Sequence, residues 1–196
     1  MNIVLASKSA ARAQILRNAG VAVDVRSAGV DEGPLKASAL AKGLTSRQIA
    51  ETLADAKAVA ASRGTTDWTV GADQTLEFEG RLFDKAETVD EAREYLQTLR
   101  GKTHQLHAAV ALARDGRLIW RDTQSVTLTM RPFSDAFLET YLHRNAEIAT
   151  SCVGGYALEA EGIQLFEAVE GDYFAVLGLP ILPLLAQLRR HDLIAA

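Results

Sequence analysis

Two hydroxyls and a guanidinium gather near the start of the chain, in Leu5-Ala6-Ser7-Lys8-Ser9-Ala10-Ala11-Arg12. An apolar strand-like run ends there, and Ala10–Ala19 reads as a helix closed by Gly20. That order puts Ser7, Ser9, Arg12 and the first backbone N–H groups of a helix at one point, which suits an anion and above all a phosphate. Taken singly, Ser9 is an ordinary helix N-cap. Further along, Thr69-Val70-Gly71-Ala72-Asp73-Gln74 presents an acid at the end of an apolar strand. Its small neighbours let a ligand approach the backbone. Such an acid can bind a divalent metal or take a proton from water. Glu32 lies beside Asp31 in an uncharged stretch, Lys57 on an Ala-rich helix, and Lys85 after a short hairpin. Each alone is a solvated charge. Together they supply what hydrolysis of a nucleoside triphosphate needs: cations for the polyphosphate, an acid for a metal and an acid to aim water.

The elements that must hold these residues are mixed. Strands are predicted over Asn2–Ala6, Val21–Ser27 and Asp67–Phe78, the last turning at Glu79-Gly80 into Arg81–Phe83. Residues 28–44 read as a loop rich in Gly, Ala and Ser. Thr45 with Gln48, and Thr88 with Glu91, are capping-box patterns before helices from about residues 47 and 89. Thr103–Ala113 and Arg117–Met130 should form a hairpin across Asp115-Gly116. Ser134 caps a helix to about Asn145. The tail is expected to alternate short strands with turns until Pro180 opens an amphipathic helix to Arg190. Alternation of strands and helices, with one long hairpin, predicts a mixed sheet.

Composition narrows the chemistry. The 196 residues, 48% hydrophobic and 23% charged, suffice for one large domain or two lobes on a shared sheet. A net charge of −4 argues against a nucleic-acid binder. No apolar run approaches a membrane span and none follows a basic leader. Cys152 is the only cysteine, so no intrachain disulfide forms, which fits a reducing cytoplasm; it reads as a small core residue. No Gly-rich loop ends in Lys-Ser or Lys-Thr, and no Gly-x-Gly-x-x-Gly follows a strand. His104 and His107 lie three apart on a strand, face opposite ways and cannot share a zinc ion. Trp68 and Trp120 read as packing residues rather than stacking platforms for a base.

In order, these segments resemble the Maf family of nucleoside triphosphate pyrophosphatases. The matching pieces are Leu5-Ala6-Ser7-Lys8-Ser9 with Arg12, Asp31-Glu32, Leu53-Ala54-Asp55-Ala56-Lys57-Ala58, Gly71-Ala72-Asp73-Gln74, Lys85 and Leu99-Arg100-Gly101-Lys102-Thr103-His104. The tail adds Gly155-Tyr156, Glu159, Glu170-Gly171-Asp172-Tyr173-Phe174 and Gly178-Leu179-Pro180. The resemblance spans nearly the whole chain. It implies one two-lobed Maf/ITPase-like α/β domain over residues 1–196, with a long mixed sheet flanked by helices and the active site in the cleft between lobes. It also implies cleavage between the α and β phosphates with a divalent cation (Mg²⁺, Mn²⁺ or Co²⁺), a cytoplasmic location and often a homodimer, with no nucleic-acid or membrane partner. By the same resemblance Ser7, Ser9 and Arg12 bind phosphate. Lys57 and Lys85 neutralise the triphosphate, and Glu32 and Asp73 handle metal and water, Asp73 as general base.

The chain departs from the family pattern at Ala10 and Ala11, where Pro-Arg is usual, and at Ala86, where Pro is usual. Gln74 and Glu159 resemble the branch acting on 7-methyl-GTP, whose cationic base offers an N1–H and N2–H₂ edge that a carboxylate can accept. Gly155-Tyr156 resembles the branch acting on dTTP and UTP. The expectation is therefore a 7-methyl-GTP pyrophosphatase. The alternatives are a dTTP/UTP enzyme, or a nucleotide-sensing protein linked to cell division with little catalysis.

Overall fold

The computed structural model describes residues 2–195. Its elements are β1 (Ile3–Ala6), α1 (Ala10–Asn18), β2 (Asp24–Arg26), α2 (Glu32–Ala41), α3 (Ser46–Ala61), β3 (Trp68–Phe78), β4 (Arg81–Phe83) and α4 (Val89–Leu99). They continue with β5 (Thr103–Arg114), β6 (Arg117–Met130), α5 (Asp135–Arg144), α6 (Ala146–Ser151), a 3₁₀ turn over Glu161–Leu165, β7 (Phe166–Glu170), α7 (Tyr173–Val176) and α8 (Ile181–Arg190). The sheet has seven strands in the order β2-β1-β3-β5-β6-β7, with β4 beside β3. β1 pairs parallel with β2 and β3, and the other pairs are antiparallel, so the mixed sheet is as expected.

Local signals account for much of this. Asp115 and Gly116 both take positive φ (50° and 70°), the conformation that matches the twist of the β5–β6 hairpin. Thr45 and Gln48 form the reciprocal capping box at the start of α3. At α4 the box is displaced: Thr88 accepts from the Glu91 N–H (3.1 Å), while the Glu91 carboxylate accepts from the Glu87 N–H (2.7 Å).

Two expectations need correction. The stretch 28–44 is not a loop throughout, because α2 occupies Glu32–Ala41. Asp31 caps it by accepting from the Gly33 N–H (3.3 Å), and Pro34 falls in the first turn, where a missing N–H costs nothing. Leu35 and Ala39 then pack against Ile49, Leu53 and Leu82. The tail before Pro180 holds a single strand, β7; the rest is short helical turns, such as α7, capped by Asp172 accepting from the Ala175 N–H (2.7 Å).

Two apolar cores lie toward opposite ends of the sheet, and both draw on β3 and β5. One joins Leu5, Leu16, Val70, Leu112 and Leu184; the other joins Leu76, Leu96, Leu106, Leu128 and Leu138. On the opposite face of the sheet from both, α3 packs mainly through alanine: Ala50, Ala54 and Ala58 meet Ala109, Ala111 and Ala113, with Val59 beside them. At Gly71 the approach is closest, since an added Cβ would stand 2.3 Å from the Ala54 carbonyl oxygen. Trp68 is buried and stacks on His191, as a packing residue should. Among the described residues no helix is long and apolar enough to cross a membrane.

Candidate active site

The site begins as a gap in the sheet. On one side β3 pairs with β5 from Thr69 to Glu77. On the other it pairs with β1 only as far as Gly71, and with β4 only from Leu76. Residues 72–75 therefore present an open strand edge between β1 and β4. Asp73 stands in the middle of the 11-residue β3 rather than at a strand end. Alternation directs Gly71, Asp73 and Thr75 to the α3 face, and Thr75 Oγ1 donates to the Ser46 carbonyl at the start of that helix (2.9 Å).

The close seating of α3 brings Lys57 to Asp73. Lys57 Nζ donates to Asp73 Oδ1 at 2.6 Å and pairs with Glu32 Oε1, from α2, at 2.9 Å. Lys57 and Asp73 are each 7% exposed, so the pair is largely shielded from water, whereas Glu32 stays exposed. Burial pushes the Asp73 carboxyl above the usual carboxylate range, although Lys57 and then Arg12 pull it down. That direction suits a group that must take a proton.

Arg12 is more tightly held than a bare phosphate ligand. Its Nε donates to the Gly178 carbonyl (2.8 Å), and one terminal nitrogen donates to the Ala72 carbonyl (3.0 Å) and Ser7 Oγ (3.3 Å). It thereby ties α1 to the open edge of β3 and to the turn after α7, while still lining the cleft. Ser9 caps α1, accepting from the Arg12 N–H at 3.4 Å. Gln74 faces away from Asp73, and its amide donates to the Ala175 and Val176 carbonyls, both at 2.9 Å. Lys85 is exposed, with its backbone bridged to Val153.

A cleft of about 1080 Å³ gathers all of these: Ser7, Ser9, Arg12, Glu32, Lys57, Asp73, Gln74, Lys85 and Glu159 line it. It is large enough for a nucleotide. Sequence reasoning missed Lys36, which lines the cleft from α2 and pairs with Asp84. Reading 28–44 as a loop hid the four-residue spacing that puts Lys36 on the same helical face as Glu32. Cys152, expected in the core, lines the cleft half-buried instead; burial raises its thiol pKa, which works against a thiolate there.

The donor set fits a hard divalent cation bound together with phosphate. Glu32 and Asp73 converge on one ammonium, whose place a cation could take. Among the described residues no three His, Cys, Asp or Glu side chains form a cage. The remaining ligands would be phosphate oxygens and water, the habit of Mg²⁺.

A comparison with known families matches residues 2–191 to the Maf-like protein family. The chain belongs to that family. The Maf-like chain is 54% identical over 189 residues to the nucleoside triphosphate pyrophosphatase of Caulobacter vibrioides, covering 96% of this chain and 95% of that one. It is 49% identical over 197 residues to the protein of the same name from Gluconobacter oxydans, covering 100% and 97%. With the 7-methyl-GTP pyrophosphatase of Brucella abortus it shares 45% identity over 195 residues, covering 99% and 98%.

Proposed function

We propose that this Maf-like chain is a nucleoside triphosphate pyrophosphatase that cuts between the α and β phosphates, with 7-methyl-GTP its preferred substrate. The observation that carries the reading is the buried Lys57–Asp73 pair joined by Glu32 at the open edge of β3, inside a cleft ringed by Arg12, Lys36 and Lys85. Asp73, with its raised pKa, takes the proton of the attacking water. Lys57 moves its charge from the carboxylates to the phosphates as substrate enters. Arg12, Lys85 and the start of α1 hold the polyphosphate. A divalent cation held by Glu32 and Asp73 would polarise the phosphate and lower the pKa of bound water. Two relatives named for nucleoside triphosphate pyrophosphatase activity support the reaction class.

The choice of base rests on Glu159, exposed on the cleft wall, and on the relative named for 7-methyl-GTP. A carboxylate there favours a cationic base with a donor edge. Gln74 spends both amide hydrogens on backbone carbonyls, which leaves its oxygen as the only polar group to offer a nucleotide. The test is pyrophosphate release from 7-methyl-GTP, GTP, dTTP, UTP and CTP with Mg²⁺, Mn²⁺, Co²⁺ or chelator. Metal-dependent release led by 7-methyl-GTP is expected. Release led by dTTP or UTP would overturn the base assignment, and binding without release would overturn the reaction.

A further inference from the structure

We propose that Lys36 is a further polyphosphate-binding lysine, latched by Asp84 in the free protein and handed to phosphate when the nucleotide arrives. The inference rests on the pyrophosphatase reading and adds a residue and a competitor to it. Lys36 lies one helical turn beyond Glu32 on α2, and Glu32 already reaches the Lys57 ammonium at 2.9 Å. The same face of α2 therefore looks toward Asp73. Lys36 lines the cleft, and its ion pair with Asp84 brings it to the residue next to Lys85.

The pair is unequal. The Lys36 side chain is 19% exposed and that of Asp84 is 66% exposed. Asp84 can swing into water at little cost, whereas Lys36 keeps its charge in the cleft wall. Burial disfavours the Lys36 ammonium more than Asp73 and Glu32 favour it, so it gains from a denser counter-ion than one carboxylate. A polyphosphate supplies that density and several acceptor oxygens. The rival reading is a structural clasp, in which the pair only fastens α2 to the segment after β4. Leu35 and Leu82, packed in one cluster, already join α2 to β4, directly before that segment, without it.

Calorimetric titration with inorganic pyrophosphate separates the two, run beside nucleotide turnover and thermal melting. Lys36→Met should weaken pyrophosphate binding about ten-fold and raise KM, the loss of one charge-assisted contact. Asp84→Asn should tighten pyrophosphate binding about three-fold, because the exposed competitor is gone. The double variant should match Lys36→Met. A clasp predicts that both single variants lower Tm together and that Asp84→Asn leaves pyrophosphate binding unchanged or weaker; that result overturns the proposal. If the wild-type chain turns over nucleotide and Lys36→Met binds pyrophosphate as well as it does, only this inference fails. If the wild-type chain neither binds pyrophosphate nor releases it from nucleotides, the functional reading fails with it.

Discussion

Replacing Gly71 by alanine would test whether the seating of α3 sets the geometry of the site. The new Cβ would stand 2.3 Å from the Ala54 carbonyl oxygen, 2.5 Å from the Ala58 nitrogen and 2.9 Å from the Ala58 Cβ. Two of these atoms are helix backbone and the third is fixed to it, so no side chain can rotate away. To restore van der Waals distance α3 must retreat by roughly 1 Å. Overpacking of this kind costs about 1–3 kcal/mol, more than the ~0.4–1 kcal/mol that alanine gains by stiffening the unfolded chain. The retreat carries Lys57 away from Asp73 and opens a 2.6 Å contact beyond hydrogen-bond range. A misplacement of that size costs on the order of 100-fold in turnover. Urea denaturation should report the stability loss, and steady-state pyrophosphate release should show kcat falling much more than KM rises. Wild-type stability and kcat would refute the contact itself. Lost stability with an intact rate would refute the idea that the seating of α3 positions Lys57.

Other expectations follow from the same site. Lys57→Met removes the ammonium between Glu32 and Asp73, so Mn²⁺ alone, titrated without nucleotide, should bind several-fold tighter while turnover collapses; unchanged metal affinity would take the carboxylate pair out of the metal site. Glu159→Gln should lower kcat/KM for 7-methyl-GTP by about ten-fold, the scale of one charge-assisted hydrogen bond, and leave dTTP rates alone; equal losses on both would deny it a role in base choice. His104 is buried against the Tyr156 hydroxyl (2.7 Å), and burial lowers its pKa to about 4. Its folded pKa lies below the unfolded value, so the unfolded chain binds the extra proton and stability is lost as pH falls from about 6.5 toward 4. The loss between pH 7 and 5 is about 2 kcal/mol. His104→Gln should flatten that part of the denaturation profile, and an unchanged slope would assign it to other groups.

What could be read from the chain alone was local. The turn at Asp115-Gly116 and the box at Thr45 and Gln48 are fixed by neighbours two or three residues apart, and both form as expected. α2 was illegible because Gly33-Pro34 imitates a turn, while the contacts that stabilise the helix come from Ile49, Leu53 and Leu82. With the helix went Lys36. The charged residues of the site stand out by type, but their working partners do not. Arg12 is aimed by the Gly178 and Ala72 carbonyls, and Gln74 is held by Ala175 and Val176, about a hundred residues away in sequence. The open edge at residues 72–75 depends on where β1 stops and β4 starts, which no single segment encodes.

The alanine seam under α3 has a consequence for how such a protein can diversify. Alanine has no rotamers to exchange, so the seam cannot absorb a change of shape and passes it straight to Lys57 and Asp73. That half of the cleft behaves as a fixed jaw. The opposite jaw, from α6 through Glu159, is built of short turns and touches the seam nowhere in its alanine cluster. Substitutions at exposed positions such as Glu147 and Glu159 can remodel what lies against the base without disturbing Val153, whose backbone bridges Lys85. Selection could then exchange one nucleotide for another without rebuilding the reaction, and libraries meant to change substrate belong at Glu147 and Glu159 rather than along α3 or β3, or at the buried Ala149, Tyr156 and Leu158.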